Sequence, residues 1–163
     1  MDIEKYKRII KQKTNDELAK YFRTIAKRAS EISNVAVECD LIMLIGLIKS
    51  EWVNRLYEDD SNGLPSEGLM SVMGYRVGDT QGVKKNYRRL IMREILIGPI
   101  PLVGSPAYMR EWGTDGSIQR FKKMQRFLKA EINSPLQKNN FRAISEWSED
   151  LEWLEKEGIQ YIE

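Results

Sequence analysis

Apolar side chains recur at three- and four-residue steps along almost the whole of this chain, and strictly alternating apolar and polar runs are nearly absent. That spacing follows the helical turn rather than the pleat of a strand, so the sequence predicts an all-α domain of seven or eight helices. Ile3, Tyr6, Ile9 and Ile10 share one face of an opening helix. Asn15 is placed to cap a second helix, in which Leu18, Tyr21, Phe22, Ile25, Ala26, Ala29 and Ile32 form a stripe opposite Lys20, Arg23 and Lys27. Over Val35 to Tyr57 a third helix carries Val37, Leu41, Leu44, Ile45, Ile48, Trp52 and Leu56 on one side, while Ile42, Met43 and Leu47 extend the apolar surface most of the way round. Such a helix is expected at the centre of the domain. A strand over Leu41 to Ile48 is the competing reading, because short apolar runs suit both.

Glycine, proline and capping residues divide the rest. The run DDSNGLPS, residues 59–66, reads as a loop and is the candidate subdomain boundary within a single domain spanning residues 1–163. Ser66 is placed to cap a short helix carrying Leu69, Val72 and Met73, which Gly74 ends. A helix over Val83 to Ile97 stops at Gly98-Pro99, and Ser105-Pro106 opens a short one reaching Trp112. Ser117 caps a helix with Ile118, Phe121, Met124, Leu128 and Ile132 inside, and a last helix sets Phe141, Ile144, Trp147, Leu151 and Leu154 on one stripe before Gly158.

With 42% apolar and 31% charged residues the chain has the balance of a folded domain, which excludes disorder and collagen-like repetition. It has no histidine and one cysteine, Cys39. An intrachain disulfide and a cysteine-based zinc site are therefore excluded, and so is every Ser-His or Cys-His nucleophile pair. Catalysis would have to rest on carboxylates, Lys, Tyr or a hard metal, and the expectation is a non-enzymatic chain with no cofactor and no metal. The longest apolar run falls short of the ~20 residues needed to cross a bilayer, and the N-terminus lacks the core of a secretory signal. A cytoplasmic protein without a membrane partner is expected.

The formal net charge is only +2, but it is segregated: residues 1–33, 34–65, 66–133 and 134–163 carry +4, −4, +6 and −4. A basic middle region attracts polyanions, and the acidic C-terminal helix is able to cover it. On a helical projection of Val83 to Ile97, Val83, Tyr87, Leu90, Ile91 and Ile97 define one face and Lys84, Lys85, Arg88, Arg89 and Arg93 the other. Five cations on one surface point to phosphate binding, aided by Arg76, with Gln81 and Asn86 near the helix start as polar readers of bases. The plainer reading is a solvated face with partner carboxylates. A helix-turn-helix formed with the preceding short helix is disfavoured by the long Gly74 to Gly82 connection. Arg120, Lys122, Lys123, Arg126 and Lys129 in a later helix spread around its circumference and make a poorer stripe.

Glu94 projects into that apolar face, where an unpaired carboxylate is costly and needs a partner. With Glu111 and Asp115 a Mg²⁺ cluster is conceivable, the basis of a third reading as a carboxylate nuclease, and the plainer readings are an ion pair or hydrogen bond to a neighbouring element or exposure near the helix end. The glycines from Gly74 to Gly82 lack the Gly-Lys-Ser/Thr ending and preceding strand of a P-loop, so turn chemistry explains them better. Tyr75, Tyr108 and Trp112 are candidates for base stacking or for plugging a core edge. Trp153 projects off its own apolar stripe among Glu146, Glu149, Asp150 and Glu157, which calls for a contact: an internal one, with Ile159, Tyr161 and Ile162 folding back over it, or, with Tyr108 and Trp112, a contact to a partner chain.

The stretch Leu69 to Leu154 resembles a segment of uncharacterised bacterial proteins, some linked to restriction or mobile elements. The matching residues are Met73-Gly74-Tyr75-Arg76-Val77-Gly78, Arg88-Arg89, Ser105-Pro106-Ala107-Tyr108-Met109, Glu111-Trp112-Gly113, Glu146-Trp147 and Asp150-Leu151. The resemblance implies a bacterial or phage setting of defence or mobile-element type and carries no activity, cofactor or site residue. Taken together, the sequence predicts a nucleic-acid-binding module acting through the basic helix. The alternative is a protein-interaction or regulatory subunit, an adaptor in defence or anti-defence, that docks through its charged helices and Trp153.

Overall fold

The computed structural model describes residues 2–58, 64 and 67–162. They form eight α-helices, α1 (Ile3–Gln12), α2 (Asn15–Glu31), α3 (Val35–Glu58), α4 (Leu69–Val72), α5 (Lys85–Ile97), α6 (Pro106–Trp112), α7 (Ile118–Ile132) and α8 (Phe141–Lys156), with 3₁₀ turns at Pro135–Gln137 and Gly158–Tyr161. No strand occurs among the described residues, so the fold is all-α and Leu41 to Ile48 is helical. No helix among them is long and apolar enough to cross a membrane.

Local chemistry sets the helix starts. Asp2 accepts from the Lys5 amide at 3.1 Å, Ser117 from Arg120 at 3.3 Å and Asn140 from Ala143 at 3.2 Å, each satisfying an amide that the helix leaves open. At α2 the cap is Thr14 rather than Asn15. Thr14 Oγ1 accepts from the Glu17 amide at 3.2 Å while the Glu17 carboxylate accepts from the Thr14 amide at 2.8 Å, a reciprocal box that holds the Glu17 carboxyl below its usual pKa. Gly68 precedes α4. Ser66 and the expected boundary at 59–66, Leu64 apart, lie outside the described residues.

Chain contacts divide into two compact units, one of Met1–Met73 with Pro99–Ser105, the other of Gly74–Gly98 with Pro106–Glu163. In the first unit α3 packs on α2 and α1, burying Leu18, Phe22, Ile25, Leu44, Ile48 and Trp52, with the Phe22 and Trp52 rings 4.9 Å apart. Each such side chain contributes about 2 kcal/mol on burial. α3 is thus the core helix of this unit rather than of the whole chain, and its apolar surface is covered on one side only: Val35, Ile42, Met43 and Leu56 are exposed. The second unit has a core of its own, with Ile91, Met92 and Ile95 of α5, Met124 and Leu128 of α7 and Leu154 of α8.

Both units bury an arginine where the chain reverses. Arg55, 3% exposed, donates to the carbonyls of Ile10 (3.3 Å) and Lys13 (2.8 Å), to Asn15 Oδ1 (3.0 Å) and to Glu51 (2.9 Å). It thereby closes the C-terminal end of α1 onto the start of α2, which is why Asn15 is buried there instead of capping. Arg120 donates to the carbonyls of Ile95 (2.9 Å), Gly98 (2.7 Å) and Gly113 (3.0 Å), joining the end of α5 to the turn before α7. Its surroundings are carbonyls rather than carboxylates, and burial pushes its pKa down to about 10. Arg55→Met is expected to lower the unfolding free energy by about 3–5 kcal/mol, because two carbonyls and a carboxylate lose their buried donor. Urea denaturation followed by circular dichroism measures this, with Arg55→Lys recovering only part; a loss under about 1 kcal/mol would mean that water replaces the guanidinium.

Candidate functional site

The basic helix α5 begins at Lys85, with Lys84 in the cap position and no side-chain cap. Its buried residues are Tyr87, Arg88, Ile91, Met92, Ile95 and Leu96. On the helical projection these span one continuous half of the circumference. The expected face, which includes Val83, Leu90 and Ile97, is rotated from it by roughly a third of a turn: Leu90 is half-buried and Ile97 is 44% exposed. The rotation has a single cause. The sequence pattern places Arg88 in solvent as a cation, yet it lies between Tyr87, Ile91 and Met92 on the buried side and is only 2% exposed.

A polar network explains how that charge is tolerated. Arg88 Nε donates to Asp150 Oδ2 at 2.6 Å, its Nη1 to the Val83 carbonyl at 3.0 Å, and Glu146 stands 3.5 Å away. Asp150, 0% exposed on α8, also accepts from the Tyr75 hydroxyl at 2.7 Å. Burial would lower the Arg88 pKa, but the hydrogen bond and charge of Asp150, with Glu146, raise it instead. Burial, then Asp150, pushes the Tyr75 hydroxyl far above its ordinary range. Glu146 also accepts from the Gly78 amide at 2.8 Å. The loop can close this tightly because Gly78 sits at φ +88° and a Cβ on Gly82 would lie 2.2 Å from the Gly78 carbonyl oxygen.

Lys85 and Arg89 are also met by α8, and Arg93 by its own helix. Lys85 pairs with Glu149 at 3.0 Å, the guanidinium of Arg89 lies 5.7 Å from the centre of the Trp153 ring, and Arg93 reaches Glu94 at 3.8 Å. Arg76 donates to the Tyr75 carbonyl at 3.1 Å and is half-buried. Gln81, Lys84 and Asn86 are exposed. The shallow depression at this end of α5 is lined by Lys84, Lys85, Arg88, Arg142, Glu146 and Glu149, a mixture of signs rather than a cationic surface. The expectation of outward-facing cations without acidic neighbours is therefore corrected: Arg88 is structural, and Lys85, Arg89 and Arg93 have partners within the same unit.

Of the two readings open for the aromatic candidates the internal one holds, and the partner contact at Trp153 and Trp112 is corrected. Trp153 is 7% exposed; its indole N–H donates to Glu157 at 3.0 Å and Tyr161 packs on it with ring centres 6.4 Å apart, so the chain end folds back over it. Trp112 is 1% exposed, with the half-buried Tyr108 edge-on at 6.4 Å and the Lys123 ammonium over the Tyr108 ring at 5.5 Å. Glu94 lies at the margin of the buried face, half-buried beside Arg93, and Glu111 pairs with Lys123. Among the described residues no three His, Cys, Asp or Glu side chains converge as a metal site would require.

Sequence reasoning missed Asp150 as the centre of the network and read Glu146 only as part of an acidic face. The available signal was an arginine at a buried register of α5, which demands a buried carboxylate elsewhere. Removing Arg88 or Asp150 alone (Arg88→Met, Asp150→Leu) is expected to cost about 3–5 kcal/mol, and the double variant less than the sum by at least about 2 kcal/mol. Additive losses in chemical denaturation would dismiss the pairing. Tyr75 gives a pH test: an unfolded tyrosine ionises near pH 10 whereas the buried one stays protonated, so its stabilisation is intact below that pH and declines above it. Between pH 8 and pH 11 wild type should lose about 1.4 kcal/mol more than Tyr75→Phe; equal losses would mean that Tyr75 ionises in the native state.

Tyr75, Gly78, Arg88, Glu146 and Asp150 thus occupy structural posts in one network, and Trp112 and Trp147 are buried. Neither protein-family models, nor curated proteins, nor solved structures give a match to this chain.

Proposed function

We propose that this chain is a non-enzymatic protein-interaction module that docks through the outward side of α3, in the bacterial or phage setting implied by the resemblance. One observation carries the reading: a helix apolar nearly all round is covered on one side only, leaving Val35 70%, Ile42 56% and Met43 44% exposed. Isolated apolar residues on a surface are ordinary, but a continuous stripe of them marks a contact. The reading shifts docking away from Trp153, which is occupied within its own unit.

Nucleic-acid binding is the second reading, favoured by the exposed Gln81, Lys84 and Asn86 at the start of α5 and by Lys122 and Arg126, exposed beside Gln119 and Gln125 on α7. With Arg88 removed from the set, phosphate contacts would be few and the salt dependence of binding shallow.

Affinity capture from nuclease-treated bacterial lysate supplemented with a differently tagged copy of the chain separates the two. Wild type should retain a stoichiometric polypeptide that Ile42→Glu/Met43→Glu loses. Equal retention by both chains would remove the α3 reading. Nucleic acid co-purifying from untreated lysate, and lost on Lys84→Ala/Lys85→Ala, would put the second reading in its place.

A further inference from the structure

Independently of the α3 reading, we infer that the outward face of α1 is a binding surface for the phosphate backbone of a duplex nucleic acid. The +4 excess of residues 1–33 can be traced side chain by side chain. Lys7 is answered by Glu4 at 2.9 Å, Lys20 by Asp16 at 2.5 Å, Lys13 by the Tyr21 ring at 5.3 Å and Arg23 by the Val72 carbonyl at 3.1 Å. The carboxylates are occupied as well: Asp2 accepts from the Lys5 amide and Glu17 from the Thr14 amide, which leaves Glu31 at the end of α2. Lys5, Arg8, Lys11, Lys27 and Arg28 have no ion-pair partner among the described residues.

Helix chemistry accounts for part of this set. Lys11 lies in the last turn of α1 and Arg28 in the last turn of α2, with Lys27 next to it, where the negative end of a helix favours cations. It does not account for Lys5 and Arg8. Lys5 stands in the first turn of α1, where the helix dipole opposes a cation, and Arg8 follows three residues later, like charge beside like charge. Both are exposed. Two cations held against local preference and left unpaired in solvent fit an anion supplied from outside the chain.

The rest of the face selects the anion. On a projection at 100° per residue, Lys5, Arg8, Gln12, Lys11, Glu4 and Lys7 share an arc of about 160° that holds no apolar residue. The apolar side of α1 is turned to α3, with Ile10 2% exposed and Tyr6 and Ile9 half-buried. A helix that lies in a lipid surface enters it by its apolar side, and a protein interface draws on an apolar centre; the outward arc offers neither. A phosphate backbone needs only cations and hydrogen-bond donors. The arc also carries no aromatic ring on which unpaired bases would stack, which favours a duplex over a single strand. Lys5, Arg8 and Lys11 follow one another at three-residue steps over about 9 Å of axis, the rise of about three nucleotides along one strand. Such contacts carry no sequence information, so binding is expected at micromolar concentration without sequence preference.

Fluorescence anisotropy with a labelled DNA duplex of about 20 base pairs, and with an RNA duplex of the same sequence, tests this. Wild type should bind at about 50 mM salt and weaken about 40-fold by 200 mM, the slope of about three phosphate contacts. Lys5→Ala/Arg8→Ala should bind at least about tenfold more weakly at low salt, with a slope smaller by about two. Alanine suits a helix, so its circular dichroism spectrum should match wild type. Lys5→Arg/Arg8→Lys should keep the binding, and so should Lys84→Ala/Lys85→Ala, which separates this surface from the one on α5. A preference between the two duplexes would name the natural ligand. Unchanged affinity and slope in Lys5→Ala/Arg8→Ala, or no binding of wild type to either duplex, would overturn the inference. Binding lost only on Lys84→Ala/Lys85→Ala would return it to α5, and retention by phosphatidylserine vesicles without duplex binding would replace nucleic acid by lipid.

Discussion

A buried guanidinium brings five N–H donors into a place without water, and the chain must be folded so that oxygen atoms wait for them. Three buried arginines impose that condition here, met in full except at the Nε of Arg120. Arg55 and Arg120 collect backbone carbonyls at chain reversals, and Arg88 collects Asp150 with the Val83 carbonyl. Each joins residues far apart in sequence through one rigid planar group, which an ammonium does not replace. Apolar packing supplies the bulk of the stability, but it is non-directional. The arginines specify which turn meets which helix end.

Helix positions were legible because the apolar period and the caps are local signals. Ser117 and Gly98 bound their helices as read, and Thr14 displaced Asn15 only by one position. The faces of α5 were less legible. Its register depends on whether residue 88 counts as polar surface or as core, and that is decided by Asp150, which lies 62 positions away on another helix. Once Arg88 is placed inside, Glu94 moves to the margin and Ile97 to the surface without further adjustment. Trp153 was more legible, since the return of Tyr161 over it was open in the sequence, and only its contact with Arg89 depends on the pairing of the two helices.

The alternating charge blocks were visible in the sequence, and so was the prospect that the acidic C-terminal helix would cover the basic one. The structure realises it within the second unit, where Lys85 meets Glu149 and Arg88 meets Asp150, while Lys129 of α7 meets Glu155 of the same acidic helix. Surface pairs of this kind contribute about 0–1 kcal/mol each, so their number says little about stability. Their effect is on the field outside. A stripe of cations that would draw a polyanion when read as a lone helix becomes a mosaic of both signs, and long-range attraction falls accordingly.

α3 poses the opposite problem, since its charges are absent where solvent would favour them. A helix apolar all round is stable in a protein core, across a membrane or against a partner. Its inner side satisfies the first condition through Leu44, Ile48 and Trp52, and it is not apolar enough over its length for the second. Solubility alone would place Lys or Glu at 42 and 43, two exposed positions of its middle turns. Instead the polar residues stand at the borders, Glu38 and Lys49 on one and Asp40 on the other, and the midline holds Ile42, Met43, Gly46 and Ser50. Burial therefore accounts for only one side of the helix, and the exposed midline, open even at Gly46, is where the proposed docking rests.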